Sequence, residues 1–207
     1  MDRFVCVRLV RAESLDLSLF RFDPDLSFAV FFLNADRDIY GRYGTRSDFY
    51  RAERDISIDG LKQAMRLALD WHERLVEVKP TLAAKRGPKP KYTSFAEYPS
   101  SRGYKRSFYG EGGRCTHCHD LRTAEQMAYR NTDQPIPDHV LFSWPLPDVV
   151  GIHFDPTQAA TIQDVAAVST ADQASFLAGD QFISLEGQPI LSIADVQWVL
   201  QNASDGD

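Results

Sequence analysis

Cysteine is scarce, with three residues in 207, an odd number. A small secreted scaffold stapled by disulfides needs a denser and even set, so no such framework holds this chain together. Long apolar runs are lacking too, and without a stretch of about 18 such residues no membrane-spanning helix is expected. Positive charge is in the minority: 23 Lys and Arg face 29 Asp and Glu, for a formal charge of −6. A chain-wide nucleic-acid surface would need the opposite balance. The start lacks a secretory leader, because the apolar stretch Phe4 to Val10 is short and broken by Arg8. No phosphate-binding loop, carboxylate pair or nucleophile–base pair stands out. No catalytic residue is therefore assigned, and hydrolysis finds no support.

What is present begins with 43% hydrophobic residues, enough to build one large or two small domains. Two of the three cysteines and two of the five histidines fall together in Cys115-Thr116-His117-Cys118-His119. Cys-x-x-Cys-His is the attachment pattern of haem c, in which two thiols bond the porphyrin and the adjacent His takes an axial iron position. On that reading Cys115 and Cys118 are the anchors and His119 is the proximal ligand. Met127, His139, His153 and an exogenous ligand are candidates for the other axial position. Haem c is attached outside the cytoplasm, which implies a periplasmic or otherwise exported protein in mature or truncated form. The missing leader keeps the cytoplasm as the alternative. A tetrahedral zinc site would use Cys115, Cys118, His119 or His117, and His139. An unmetallated thiol pair, exchanging disulfides through a low-pKa thiolate, is the third possibility.

Residues 1–78 show a β-rich start over Arg3 to Val10, with Cys6 expected as a packed core thiol. Ser27 to Leu33 is nearly continuous apolar sequence, Asn34 to Arg37 is turn chemistry, and Asp38 to Gly44 returns as a partner strand. A helix follows, capped by Ser57 or Asp59, with Leu61, Met65, Leu69 and Trp71 on one side. The stretch "FVCVRLV…SFAVFFLNADRDIYGRYGTRS" resembles the later part of a thioredoxin-like domain over about residues 3 to 77. The strand and helix that would carry the family's redox motif are missing, as is its cis-proline, so the resemblance implies the scaffold without the chemistry.

Residues 79–113 are basic and proline-broken, notably Lys85-Arg86-Gly87-Pro88-Lys89-Pro90-Lys91, and read as an extended, solvated linker. Arg102 to Tyr109 mixes aromatic and basic residues, and Gly110 to Gly113 lends freedom before Cys115. Residues 114–147 hold the Cys-His segment and a short helix over Leu121 to Arg130. The wording "GRCTHCHDL" followed by "FSWPLPDVVG" resembles a bacterial family that combines thioredoxin-like, cytochrome-like and PDZ segments.

In residues 148–207, strands are expected over Val149 to Phe154, Ala160 to Val168 and Gly179 to Gly187. A short helix spans Ala171 to Phe176, and Ser192 to Leu200 closes as an amphipathic helix capped by Ser192. The stretches "VVGIHF", "VAAVSTADQASFLAGDQFISLEGQPI" and "SIADVQWVL" resemble a PDZ domain. That resemblance implies peptide binding by strand addition, with Val150, Gly151, Ile152 and His153 as loop and strand and Val196 and Leu200 lining the groove. Relative to these families the chain looks truncated at both ends. The expected class is thus α/β plus α+β: a partial thioredoxin-like domain, an irregular Cys-His segment and a PDZ-like β-rich domain. Three functions stay open: an exported redox or electron-transfer protein with haem c and a peptide partner, a non-catalytic interaction module with zinc or no metal, and a thiol–disulfide oxidoreductase.

Overall fold

The computed structural model describes residues 3–9, 12–26, 28–46, 50, 52–99, 101 and 118–203. In chain order the strands are β1 (Val30–Leu33), β2 (Ile39–Tyr43), β3 (Ile152–Phe154), β4 (Ile162–Val165), β5 (Ser184–Leu185) and β6 (Gln188–Pro189). The helices are α1 (Ile58–Glu73), α2 (Leu75–Val78), α3 (Cys118–Arg130), α4 (Asp138–Leu141), α5 (Thr170–Gln173) and α6 (Ile193–Asn202). The chain divides into two compact units, Met1–Phe20 with Lys89–Leu141, and Arg21–Pro88 with Phe142–Asp207. The boundaries expected at 78, 113 and 147 do not coincide with this division. Most of the segment read as thioredoxin-like shares one unit with the segment read as PDZ-like.

That second unit is mixed helix and small antiparallel sheet: β1 pairs with β2, β3 with β4 and β5 with β6. The β1–β2 turn forms where the residue types ask for it. Asn34 Oδ1 accepts from Asp38 N at 2.9 Å, and Arg37 takes a left-handed φ of 65°. The pairing puts Phe32 opposite Gly41, and every residue of β2 is buried. Helix α1 starts at the expected cap: Ser57 Oγ accepts from Gly60 N at 2.9 Å and donates to Pro156 O at 2.7 Å. Its innermost positions are Ala64, Ala68 and Trp71, whereas Lys62, Arg66 and Glu73 face solvent. Small alanines allow the close approach, so the larger Leu61, Met65 and Leu69 flank the contact instead of making it.

The core of this unit gathers Ile152, Phe154, Ala160, Ile162, Ala171, Ile190, Val196, Trp198 and Val199. Each large side chain among them contributes about 1.5–3 kcal/mol on burial. Helix α6 is capped by Ser192, as expected, with Oγ accepting from Ala194 N at 3.1 Å. It is not amphipathic, however. Six consecutive residues, Ala194 to Val199, are buried, the mark of a helix enclosed on all sides.

Three expectations are overturned. Residues 79–91 do not form a solvated linker throughout: Lys79–Lys85 is a 3-10 helix with Pro80 in its first turn, and Leu82 and Lys85 are buried. In the other unit, residues 3–9 form no strand, and Val5 and Val7 are 94% and 77% exposed. Cys6 is exposed with them and is not a core thiol. A β-prone sequence becomes a strand only where a partner edge completes its ladder.

The rest of that first unit buries Ala12, Leu17, Leu19, Phe95, Leu121, Ala124 and Val140. Leu17 N donates to Thr93 O at 2.8 Å, tying the first twenty residues to the stretch after Lys89. Arg122 Nη2 donates to Leu141 O at 3.2 Å and holds α4 against α3. No helix among the described residues is long and apolar enough to cross a membrane.

Candidate functional site

The Cys-His pentapeptide meets the structure at the start of α3. Cys115 and His117 lie outside the described residues, as do 102–113; Cys118 and His119 open the helix. The helix expected from Leu121 thus begins three residues earlier, with the short side chain of Asp120 favourable in its first turn. Cys118 and His119 are both exposed, and the His119 side chain is 62% accessible. Asp120, 1% accessible, places Oδ1 3.8 Å from His119 Nε2. Partial desolvation of the sulfur, aided by the Asp120 charge, holds the Cys118 thiol above its ordinary value of 9.0. That is the reverse of what an activated thiolate requires.

His139 sits on α4, an exposed neighbour of the buried Val140. Among the described residues no three His, Cys, Asp or Glu side chains come together as a metal-binding group, so Cys118, His119 and His139 do not form one. Met127 lies part-buried on α3 itself, and His153 belongs to the other unit.

The residues assigned to peptide binding are placed as follows. Val149 and Val150 close a 3-10 turn, Pro147–Val150, and Gly151 follows with φ at 89°. Only glycine suits this spot, since a Cβ there would strike the Ser169 side chain. The Gly151 N–H is used by its own turn, donating to Asp148 O at 3.0 Å. Ile152 is buried in β3, and His153 is exposed with Nδ1 2.6 Å from Asp164 Oδ1 on β4. Among the described residues β3 pairs with β4 alone. Val196 belongs to the core at 3% exposure, and Leu200 packs against that core from its edge.

One cluster escaped the sequence entirely. Arg42, Lys85 and Asp195 are 3%, 0% and 0% exposed, all within the second unit. Asp195 Oδ1 accepts from Arg42 N at 3.2 Å, Oδ2 accepts from Leu191 N at 3.0 Å, and Lys85 Nζ lies 2.8 Å from Oδ2. Trp198 Nε1 donates to Ala84 O at 3.1 Å, and Ser192 Oγ donates to Arg42 O at 2.5 Å. Burial pushes the Arg42 guanidinium down to about 10 against the pull of Asp195, and lowers Lys85 for the same reason. The only signal in the sequence was the unlike charge of Lys85 and Asp195, 110 positions apart by number, which no local pattern links.

No protein-family model matches the chain, and neither a curated protein nor a solved structure matches it significantly.

Proposed function

We propose that the chain carries a covalently attached haem c at Cys115, Cys118 and His119 and serves in electron transfer or redox sensing outside the cytoplasm. The observation that carries this reading is the start of α3, where Cys118 and the next residue, His119, are both exposed. Those donors fit the chemistry of the group: a thiol able to form a thioether and an imidazole able to bind iron, on adjacent residues. When bound, haem would supply one-electron chemistry. Cys115 and Cys118 would hold it covalently, and His119 would bind the iron. Thiol–disulfide exchange is less well supported, because the Cys118 thiol is raised where a nucleophile needs it lowered. Peptide capture at Val150–His153 is left aside because the Gly151 N–H, a donor that a terminal carboxylate would need, is taken by Asp148 O.

The test is an absorption spectrum with denaturing mass, on protein exported through a host that matures c-type cytochromes. A Soret band and a mass gain of one haem, both lost in Cys115→Ala, are the expected result. Colourless protein at its apo mass overturns the reading, and zinc analysis then decides whether the cluster is a metal site.

A further inference from the structure

The buried cluster of Arg42, Lys85 and Asp195 holds two cations and one carboxylate. Arg42 Nε donates to Arg21 O at 3.0 Å and Nη2 donates to Lys85 O at 2.6 Å. Nη1 has no hydrogen-bond partner, and its nearest carboxylate oxygen is Asp195 Oδ1 at 3.8 Å. Asp195 is already committed to two backbone amides and to Lys85. Two buried cations therefore share one carboxylate. Burying such an excess is costly unless something neutralises it.

Arg42 also lines a small cavity walled by Phe22, Phe31, Gly44, Trp144 and Gln197, with a volume of about 10 Å³. The polar groups on that wall are otherwise engaged. Gln197 Oε1 accepts from Thr45 Oγ1 at 2.6 Å, and its Nε2 donates to Trp144 O at 3.2 Å. Asp23, also on the wall, accepts from Asp25 N at 2.9 Å. The space accommodates one particle of about water size, which is too little for phosphate or a carboxylate. We propose that the cavity binds a single monatomic anion, chloride in physiological terms, held by Arg42 Nη1. Phe22, Phe31 and Trp144 on the wall lower the local dielectric and strengthen the charge-assisted hydrogen bond. The anion would complete a cluster joining β2, the Lys79–Lys85 turn and α6.

The experiment uses the full chain without substitution, so no variant has to fold. Crystals soaked in bromide should show an anomalous peak within hydrogen-bond distance of Arg42 Nη1. The unfolding temperature should rise, to saturation, with chloride or bromide but not with gluconate at equal ionic strength. A water at that position, or an empty one, overturns the proposal and means that the cluster balances itself with a neutral Lys85. A peak without the halide-specific rise in unfolding temperature marks an adventitious ion only and overturns it equally.

Discussion

Helices α3 and α6 make an instructive pair. Both begin with chemistry-bearing side chains, Cys118 and His119 in one, Asp195 in the other. In α6 the ionic group is fully enclosed and bound by partners from β2 and the Lys79–Lys85 turn. In α3 the thiol and imidazole stand exposed. The difference separates two uses of polar residues. Enclosed and bound on every side, a charge specifies packing; exposed, a thiol and an imidazole are within reach of a ligand. A titratable group at a helix start therefore says little until its burial is known.

The contrast breaks most sharply at Asp195. Asp195→Ala leaves Arg42 and Lys85 buried without their carboxylate, and the loss should be about 3–5 kcal/mol in denaturant unfolding, enough to prevent folding outright. Gly41→Ala attacks the same place sterically, since its Cβ would lie 2.5 Å from Asp195 Oδ2 and 2.8 Å from Leu191 Cβ. A cost of about 1–3 kcal/mol is expected by the same measurement. Val168 runs the other way. It is 82% exposed and holds a left-handed φ of 64°, a strained state for a β-branched residue. Val168→Gly should raise stability by about 0.5–1 kcal/mol, the relief of strain exceeding the entropy that glycine adds to the unfolded chain.

Smaller effects sharpen the comparison. Hydrogen bonds from Asn34 and Lys79 hold the Asp38 carboxylate below its usual 3.8. The unfolded chain then binds more protons than the folded one as pH falls below that value, so this stabilisation is present above 3.8 and fades as pH drops through the lowered folded value. Asp38→Asn should flatten the acid limb of stability against pH. Finally, Cys118→Ser should leave the apoprotein's stability within about 0.5 kcal/mol while abolishing haem attachment in the mass spectrum. A large loss of stability there would move α3 into the same structural class as α6.

Local chemistry was legible in the sequence, and pairing across distance was not. Ser57 and Ser192 announced α1 and α6, and Asn34 to Arg37 announced the β1–β2 turn, because caps and turns are decided within four residues. Arg3 to Val10 carried strand propensity but no information about a partner edge, and residues 3–9 are exposed coil. Lys85 looked like part of a solvated basic run, yet it is fully buried against Asp195. The same applies to α6: it reads as amphipathic, yet Asp195 and Gln197 are both buried, bonded to Arg42 and Thr45 from far earlier in the chain. The Cys-His segment was found by spacing alone, a signal that survives any fold.

The long reach of Asp195 bears on how the chain comes to be folded. Its bond to the Arg42 amide spans 153 positions, so β2 leaves the ribosome well before its charge partner exists. At about 5–20 residues per second, the intervening chain takes roughly 8–30 s to make. Until then the Arg42 guanidinium must stay hydrated, and the hairpin that carries it cannot settle into its buried place. High contact order of this kind slows folding. The second unit should therefore assemble only after synthesis has passed α6, with residues 89–141 already made.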